Sequence, residues 1–156
     1  MTEQPLMPTE LHTARLWLRR WERDDALVLL PILEQNIEHL RPWIPDRVYT
    51  PVPRVELEER LSGYDADFSA GVAWRYAMIA THTKQLLGEV SVFPRSSGGR
   101  VNVASADRVE IGYWLRSDAT GQGYATEAVQ SLLMAVERLP GVRSVEIHCD
   151  ARNRAS

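Results

Sequence analysis

Residues 109–127 read Val109-Glu110-Ile111-Gly112-Tyr113-Trp114-Leu115, then Arg116-Ser117-Asp118-Ala119-Thr120, then Gly121-Gln122-Gly123-Tyr124-Ala125-Thr126-Glu127. The first block is rich in β-branched and aromatic residues and predicts a strand. The last block opens a helix, because Ala125, Ala128, Val129, Leu132, Val136 and Leu139 recur at helical spacing until Pro140-Gly141 stops them. Between the two lies a turn carrying Gly121 and Gly123, where the absence of a Cβ lets a ligand approach the backbone. The first N–H groups of a helix have no internal acceptor and sit at the positive end of its dipole. Strand, glycine turn and helix together make an anion site suited to a phosphate or pyrophosphate, or else only a glycine-rich helix start.

Outward from this segment, residues 144–149 form a last strand, and a small and polar stretch follows to Ser156. Upstream, residues 74–80 and 86–93 read as two antiparallel strands, and 96–100 as a turn-rich loop. Leu57, Leu61, Tyr64 and Phe68 step by four, three and four along a helix. An earlier helix is capped by Asp24 or Asp25 and carries Ala26, Leu27, Leu30, Leu33, Ile37 and Leu40, with a kink or restart expected at Pro31. Pro42, Pro45, Pro51 and Pro53 make the next stretch an irregular connector holding Trp43 and Tyr49. Residues 15–19 alternate as a first strand. The order is β-α-α-β-β-β-α-β, an α+β fold with a mixed α/β sheet.

The whole chain is 156 residues, one domain's worth, with 44% hydrophobic and 25% charged residues, which is ordinary for a globular protein. Its 18 basic and 21 acidic residues are not clustered, which argues against nucleic acid as a partner. The single cysteine, Cys149, excludes an internal disulfide and a cysteine-rich zinc site, and reads as a buried structural thiol. His12, His39 and His82 are scattered without ligand spacing, so no metal is expected. No leader pattern and no apolar run of membrane-spanning length stands in the chain, so a cytoplasmic protein without a membrane partner is expected.

Three kinds of nucleotide site end in such a turn. A Walker loop is excluded, because no Gly-Lys-Ser/Thr occurs. A dinucleotide-binding site has Asp150 in its favour, but Thr126 stands where its third glycine belongs and five residues separate the strand from Gly121. The third kind is a resemblance. Thr120-Gly121-Gln122-Gly123-Tyr124-Ala125 resembles the acyl-CoA motif Gln/Arg-x-x-Gly-x-Gly/Ala of the GNAT N-acetyltransferases, with Thr120 departing at the first position. Thr13-Ala14-Arg15-Leu16-Trp17-Leu18-Arg19, His39-Leu40-Arg41-Pro42-Trp43, Glu110–Leu115, Gly121–Ala128 and Asn153-Arg154-Ala155-Ser156 follow in the order found in the ribosomal-protein-alanine N-acetyltransferase branch.

The resemblance implies a GNAT-like acyl-CoA N-acyltransferase fold and transfer of an acetyl group from acetyl-CoA to a primary amine. The acceptor would be a protein N-terminus or a small molecule, and a homodimer is possible. It also implies that the domain continues past Ser156 with a helix and two strands, so 1–156 is expected to be one C-terminally incomplete domain. Backbone groups near Trp114 and Leu115 would pair with pantetheine, and those of Gly121, Gln122, Gly123, Tyr124 and Ala125 with the pyrophosphate. Asn153 would bind CoA or fix its turn. His148 and Glu110 are both candidates for general base, each with a structural alternative, a strand hydrogen bond for His148 and an arginine partner for Glu110. Ser156 would protonate the leaving thiolate. From its place in the proline-rich connector, Trp43 would wall the acceptor pocket beside Tyr49, or else be a core aromatic. The rival expectation is a CoA-binding or interaction module without catalysis, motivated by Thr120 and the absent C-terminal elements.

Overall fold

The computed structural model describes residues 6–147. His148, Cys149, Asp150, Asn153 and Ser156 lie outside the described residues, as does any role expected of them. The described chain runs β1 Glu10–His12, β2 Leu16–Arg20, α1 Ala26–Gln35, α2 Ile37–Leu40, α3 Asp46–Tyr49 and α4 Arg54–Ala70. It continues through β3 Trp74–Ala80, β4 Leu86–Ser96, β5 Gly99–Arg100, β6 Arg108–Leu115, α5 Tyr124–Val136 and β7 Ser144–Ile147.

The strands form one mixed sheet in the order β1-β2-β3-β4-β6-β7, with β5 folded back onto β4. All neighbours are antiparallel except β6 and β7, which run parallel from Arg108↔Ser144 to Ile111↔Ile147. A parallel pair needs a crossover, and α5 supplies it. Period-two alternation sorts β6 between two cores. Val109, Ile111 and Leu115 pack with Ala128, Val129, Leu132 and Val136 of α5. Trp114 packs on the other face with Leu29 and Leu33 of α1 and Leu57 and Leu61 of α4. Helices therefore cover both faces, and all seven residues of β3 are buried.

Local chemistry explains where the elements stop. The left-handed Gly71 (φ 71°) caps α4. Leu139 packs into the core, but Arg138 and Leu139 close tight i→i−3 bonds to Ala135 and Val136, so α5 ends before the apolar pattern does. The break expected at Pro31 falls instead at Asn36. Pro31 sits on the solvent side of α1 beside the exposed Leu27 and Val28, where water can satisfy the carbonyl left without a donor. Asn36 is buried. Its Nδ2 donates to the Ile32 carbonyl at 2.7 Å, a side-chain bond that competes with helix continuation. Three small elements escaped the sequence reading: β1 is three residues long, the expected irregular connector holds the four-residue α3, and the expected loop at 96–100 carries the hairpin Ser96↔Gly99.

Near the end of β6 the sheet is tightly closed. The β3–β4 register shifts between Met78 and Ile79, so Met78 pairs with Gly88 and Ile79 with Leu86. Gly88 then faces β6 so closely that a Cβ on it would lie 2.0 Å from the Trp114 carbonyl oxygen and 2.9 Å from the Leu115 Cα. Among the described residues no helix is long and apolar enough to cross a membrane.

Candidate active site

Two clefts flank β6, one on each face. The first, about 360 Å³, opens on the α5 side and is lined by Tyr113, Leu115, Gly121, Gly123, Tyr124 and Ala125, with Ile147 of β7. The second, about 250 Å³, opens on the α1/α4 side and includes Trp43, Glu110, Gly112, Tyr113 and Trp114. Tyr113 lines both. The two clefts thus share a wall at Tyr113, in the C-terminal half of β6 and past the last described pair of the β6–β7 ladder, Ile111↔Ile147.

The first cleft is built by the glycine turn. Ser117–Ala119 form a 3₁₀ turn, and Thr120 Oγ1 donates to the Ser117 carbonyl at 2.9 Å, so this side chain secures the turn. Gly121 (φ 73°) and Gly123 (φ 83°) are left-handed, a conformation that costs other residues about 1–2 kcal/mol. A Cβ on Gly121 would meet nothing within 4 Å, so the wall there is bare backbone open to a ligand. Gly123 caps α5 with no side-chain hydrogen bond to the helix, leaving the first N–H groups to an incoming anion.

Arg15, which the sequence reading placed only in a strand, turns out to brace this cradle. Its Nη1 donates to the Gln122 carbonyl at 2.9 Å, and its guanidinium lies 4.3 Å from the Tyr124 ring centre. Its Nε reaches Glu127 Oε1 at 2.8 Å while its backbone N–H donates to Oε2 at 2.9 Å. Thr13 Oγ1 donates to the same carboxylate. Partial burial opposes the Glu127 charge, but the Thr13 and Arg15 hydrogen bonds outweigh it and hold the carboxyl below its ordinary value. A depressed carboxylate adds stability above its unfolded value, near ~4.3, and loses it as pH falls toward the folded value. The stability advantage of the wild type over Glu127→Gln should therefore shrink between about pH 5 and pH 3. Denaturant midpoints at several pH values test this, and a constant difference would remove the charge from the account.

The end of β6 is tied to the α1–α2 break. Asn36 Oδ1 accepts from the Ser117 N–H at 2.8 Å, and His39 Nε2 donates to the Leu115 carbonyl at 3.0 Å. The Leu115 carbonyl, one of the groups expected to pair with pantetheine, is thus already engaged. Neither contact was visible in sequence, because each joins residues 76 or more positions apart. We expect Asn36→Ala to lose about 1–3 kcal/mol, since the buried Ile32 carbonyl and the more exposed Ser117 N–H both lose their partner. Chemical denaturation measures it, and a loss below ~0.5 kcal/mol would mean that water takes over both bonds.

In the second cleft Glu110 is half-buried and ion-paired with Arg95. Glu89, buried on β4, accepts from Arg75 Nη1 at 2.7 Å, Ser91 Oγ at 2.8 Å and Trp21 Nε1 at 3.1 Å. Burial works against the Arg75 charge, but Glu89 outweighs it and raises the guanidinium above its ordinary value. Trp43 lines this cleft. Tyr49 does not: it is buried in the α1/α4 core, and its hydroxyl donates to Asp46 at 2.6 Å. Arg75 and Glu89 were missed, although charged residues inside two otherwise apolar strands are the signal that finds them. Among the described residues no group of three or more His, Cys, Asp or Glu is placed to hold a metal ion.

A mixed sheet with a glycine turn opening the crossover helix, and clefts on both faces of one strand, is the arrangement that the resemblance to an acyl-CoA-dependent transferase implies. Residues 15–156 match the family described as Acetyltransferase (GNAT) domain, and the chain belongs to it. It is an enzyme of the acetyl-CoA-dependent kind, with acetyl-CoA as its acyl donor. Among solved structures it is similar to RimL, a ribosomal L7/L12 alpha-N-protein acetyltransferase in complex with coenzyme A, at 21% identity and TM-score 0.76, covering 96% of this chain and 77% of that one. It is also similar to the microcin C7 self-immunity acetyltransferase MccE in complex with acetyl-CoA and AMP, at 17% identity and TM-score 0.77, covering 96% and 78%. A third is a ribosomal-protein-serine acetyltransferase, so described with reservation, from Vibrio cholerae, at 24% identity and TM-score 0.68, covering 92% and 75%. No curated protein matches the sequence.

Proposed function

We propose that the chain transfers the acetyl group of acetyl-CoA to a primary amine, namely the α-amine of a protein N-terminus. The observation that carries this is Tyr113, which lines both clefts and so marks where a donor on the α5 side meets an acceptor on the α1/α4 side. Gly121, Gln122, Gly123, Tyr124 and Ala125 hold the pyrophosphate through backbone N–H groups, and the backbone at Trp114 and Leu115 flanks the pantetheine arm. The likeness to a ribosomal N-terminal acetyltransferase favours an α-amine, and proton energetics agree. Neutralising a lysine of pKa ~10.4 at pH 7 costs about 4.6 kcal/mol, against about 1.1 kcal/mol for an α-amine near ~7.8. An α-amine therefore needs only a weak base or a water chain.

Glu110, in the acceptor cleft, is the base candidate within the described residues, with Arg95 fixing its carboxylate, and Trp43 walls the same cleft. His148, Ser156 and Asn153 keep the roles of alternative base, thiolate acid and CoA or turn contact as proposals, in a cytoplasmic enzyme. With Glu110 as base, Glu110→Gln should lower kcat/KM by about 10²-fold or more, and His148→Gln should be mild. If His148 is the base, the variants exchange effects and the rise of kcat/KM through pH ~6–7 disappears in His148→Gln. CoA release from acetyl-CoA with short peptides measures both. Equal use of a free α-amine and of a lysine side chain on an N-terminally blocked peptide would overturn the α-amine assignment.

A further inference from the structure

Within the cleft on the α1/α4 side the charges do not balance. Its lining includes Arg47, Arg75 and Arg100 against Glu89 and Glu110. Glu89 is taken by Arg75 and Glu110 by Arg95, which reaches it from outside the lining. Arg47 and Arg100 are left, and neither has a carboxylate partner among the described residues. Arg100 is stacked on Phe93, its guanidinium 4.0 Å from the ring centre, which fixes a planar donor fork at the cleft wall. The same lining holds a second unmet donor. Trp114 is only 5% exposed, yet its indole Nε1 has no hydrogen-bond partner. A buried donor without an acceptor costs about 1–3 kcal/mol, a cost that a ligand oxygen would remove.

We propose that this cleft selects an acceptor amine that also carries an anionic group, a carboxylate or a phosphate, held by Arg47 and Arg100 with the Trp114 indole N–H as a further donor. The proposal rests on the assignment of this cleft to the acceptor. Electrostatics inside the cleft agree with it. Although Arg100 is exposed, partial desolvation at the cleft wall, and then the positive charges of Arg75 and Arg47, hold its guanidinium below its ordinary value, and Glu110 only partly offsets them. An incoming anion relieves that repulsion. The paired Glu110 and Glu89 lie in the same lining, so the amine of a zwitterionic acceptor has a carboxylate to approach while its anion meets arginine.

The test compares matched acceptors, Ala-Asp amide with Ala-Asn amide and phosphoethanolamine with ethanolamine, by CoA release from acetyl-CoA. Calorimetry of phosphoethanolamine and Ala-Asp amide with the CoA-loaded protein runs alongside. We expect the anionic member of at least one pair to be used about tenfold or more better in kcat/KM, mainly through KM, because a charge-assisted bond contributes about that factor. The pair with the larger ratio tells carboxylate from phosphate. In Arg100→Gln and Arg47→Gln the ratio should fall toward one, and Arg100→Lys should restore part of it. Equal use within both pairs, or a loss in Arg100→Gln that strikes both members alike, overturns the proposal. If no amine releases CoA, the acetyl-transfer assignment fails by itself and calorimetry decides the inference: anion binding weakened about tenfold in Arg100→Gln sustains it, and absence of anion binding overturns it.

Discussion

Gly123→Glu is expected to weaken acetyl-CoA binding at least about a hundredfold, equivalent to about 2.7 kcal/mol or more. Two effects act together. At φ 83° any side chain is strained by about 1–2 kcal/mol, and a carboxylate at the opening of α5 stands at the proposed pyrophosphate position. Gly123→Ala separates them. It carries the strain and brings a Cβ 3.4 Å from Arg15 Nη2, a flexible side-chain end that can yield, but adds no charge. Calorimetric titration should find the alanine variant weakened by about tenfold and the glutamate variant far beyond it. Equal affinity of Gly123→Glu and Gly123→Ala would show that the pyrophosphate does not sit at this turn. Circular dichroism should find α5 intact in both, because its apolar face is untouched.

Gly88→Ala should produce the largest loss of stability of any glycine-to-alanine change in the chain. The added Cβ would stand 2.0 Å from the Trp114 carbonyl oxygen, and both that oxygen and the Leu115 Cα beside it belong to backbone that no rotamer change can move aside. β4 and β6 must separate over the pairs Gly88↔Leu115 and Glu89↔Trp114. We expect at least about 3 kcal/mol, the top of the range for overpacking, and a fall in melting temperature on the order of 10 °C. The same displacement moves the strand that walls both clefts, so acetyl-CoA affinity should fall as well. A wild-type denaturation midpoint for Gly88→Ala would mean that the two strands do not approach this closely.

What could be read in advance, and what could not, divides by range. The helix carrying Ala128, Val129, Leu132 and Val136 and the strand before it were legible because periodicity is local, and so was the turn, because Gly121 and Gly123 mark it. The resemblance added the fold family and the acyl donor. Hidden from view were the contacts that join distant elements: Asn36 to Ser117, His39 to Leu115, and Arg15 to Glu127 across 112 positions. Nothing in a local window says that Arg15 will reach the glycine turn. Pro31 misled for the opposite reason. A strong local rule met a solvent-facing site where its penalty is small, while the real break at Asn36 came from a buried amide. Tyr49 shared the proline-rich connector with Trp43, but the short helix α3 turns its ring into the core.

Because Tyr113 belongs to both clefts, β6 divides two kinds of recognition between its faces. On the α5 side the proposed donor site combines the glycine turn and the start of α5 with the side chains of Tyr113, Tyr124 and Val129. On the other side the proposed acceptor site is lined by side chains contributed by α3, β3, β4 and β5. Exchanging Arg47 or Arg100 there leaves the sheet hydrogen bonds in place. With the acceptor in that cleft, as proposed, variation in which molecules are acetylated is uncoupled from variation in how the acetyl group is delivered. A lineage of such chains can diversify its acceptors one side chain at a time, while its donor chemistry stays fixed by the path of the backbone.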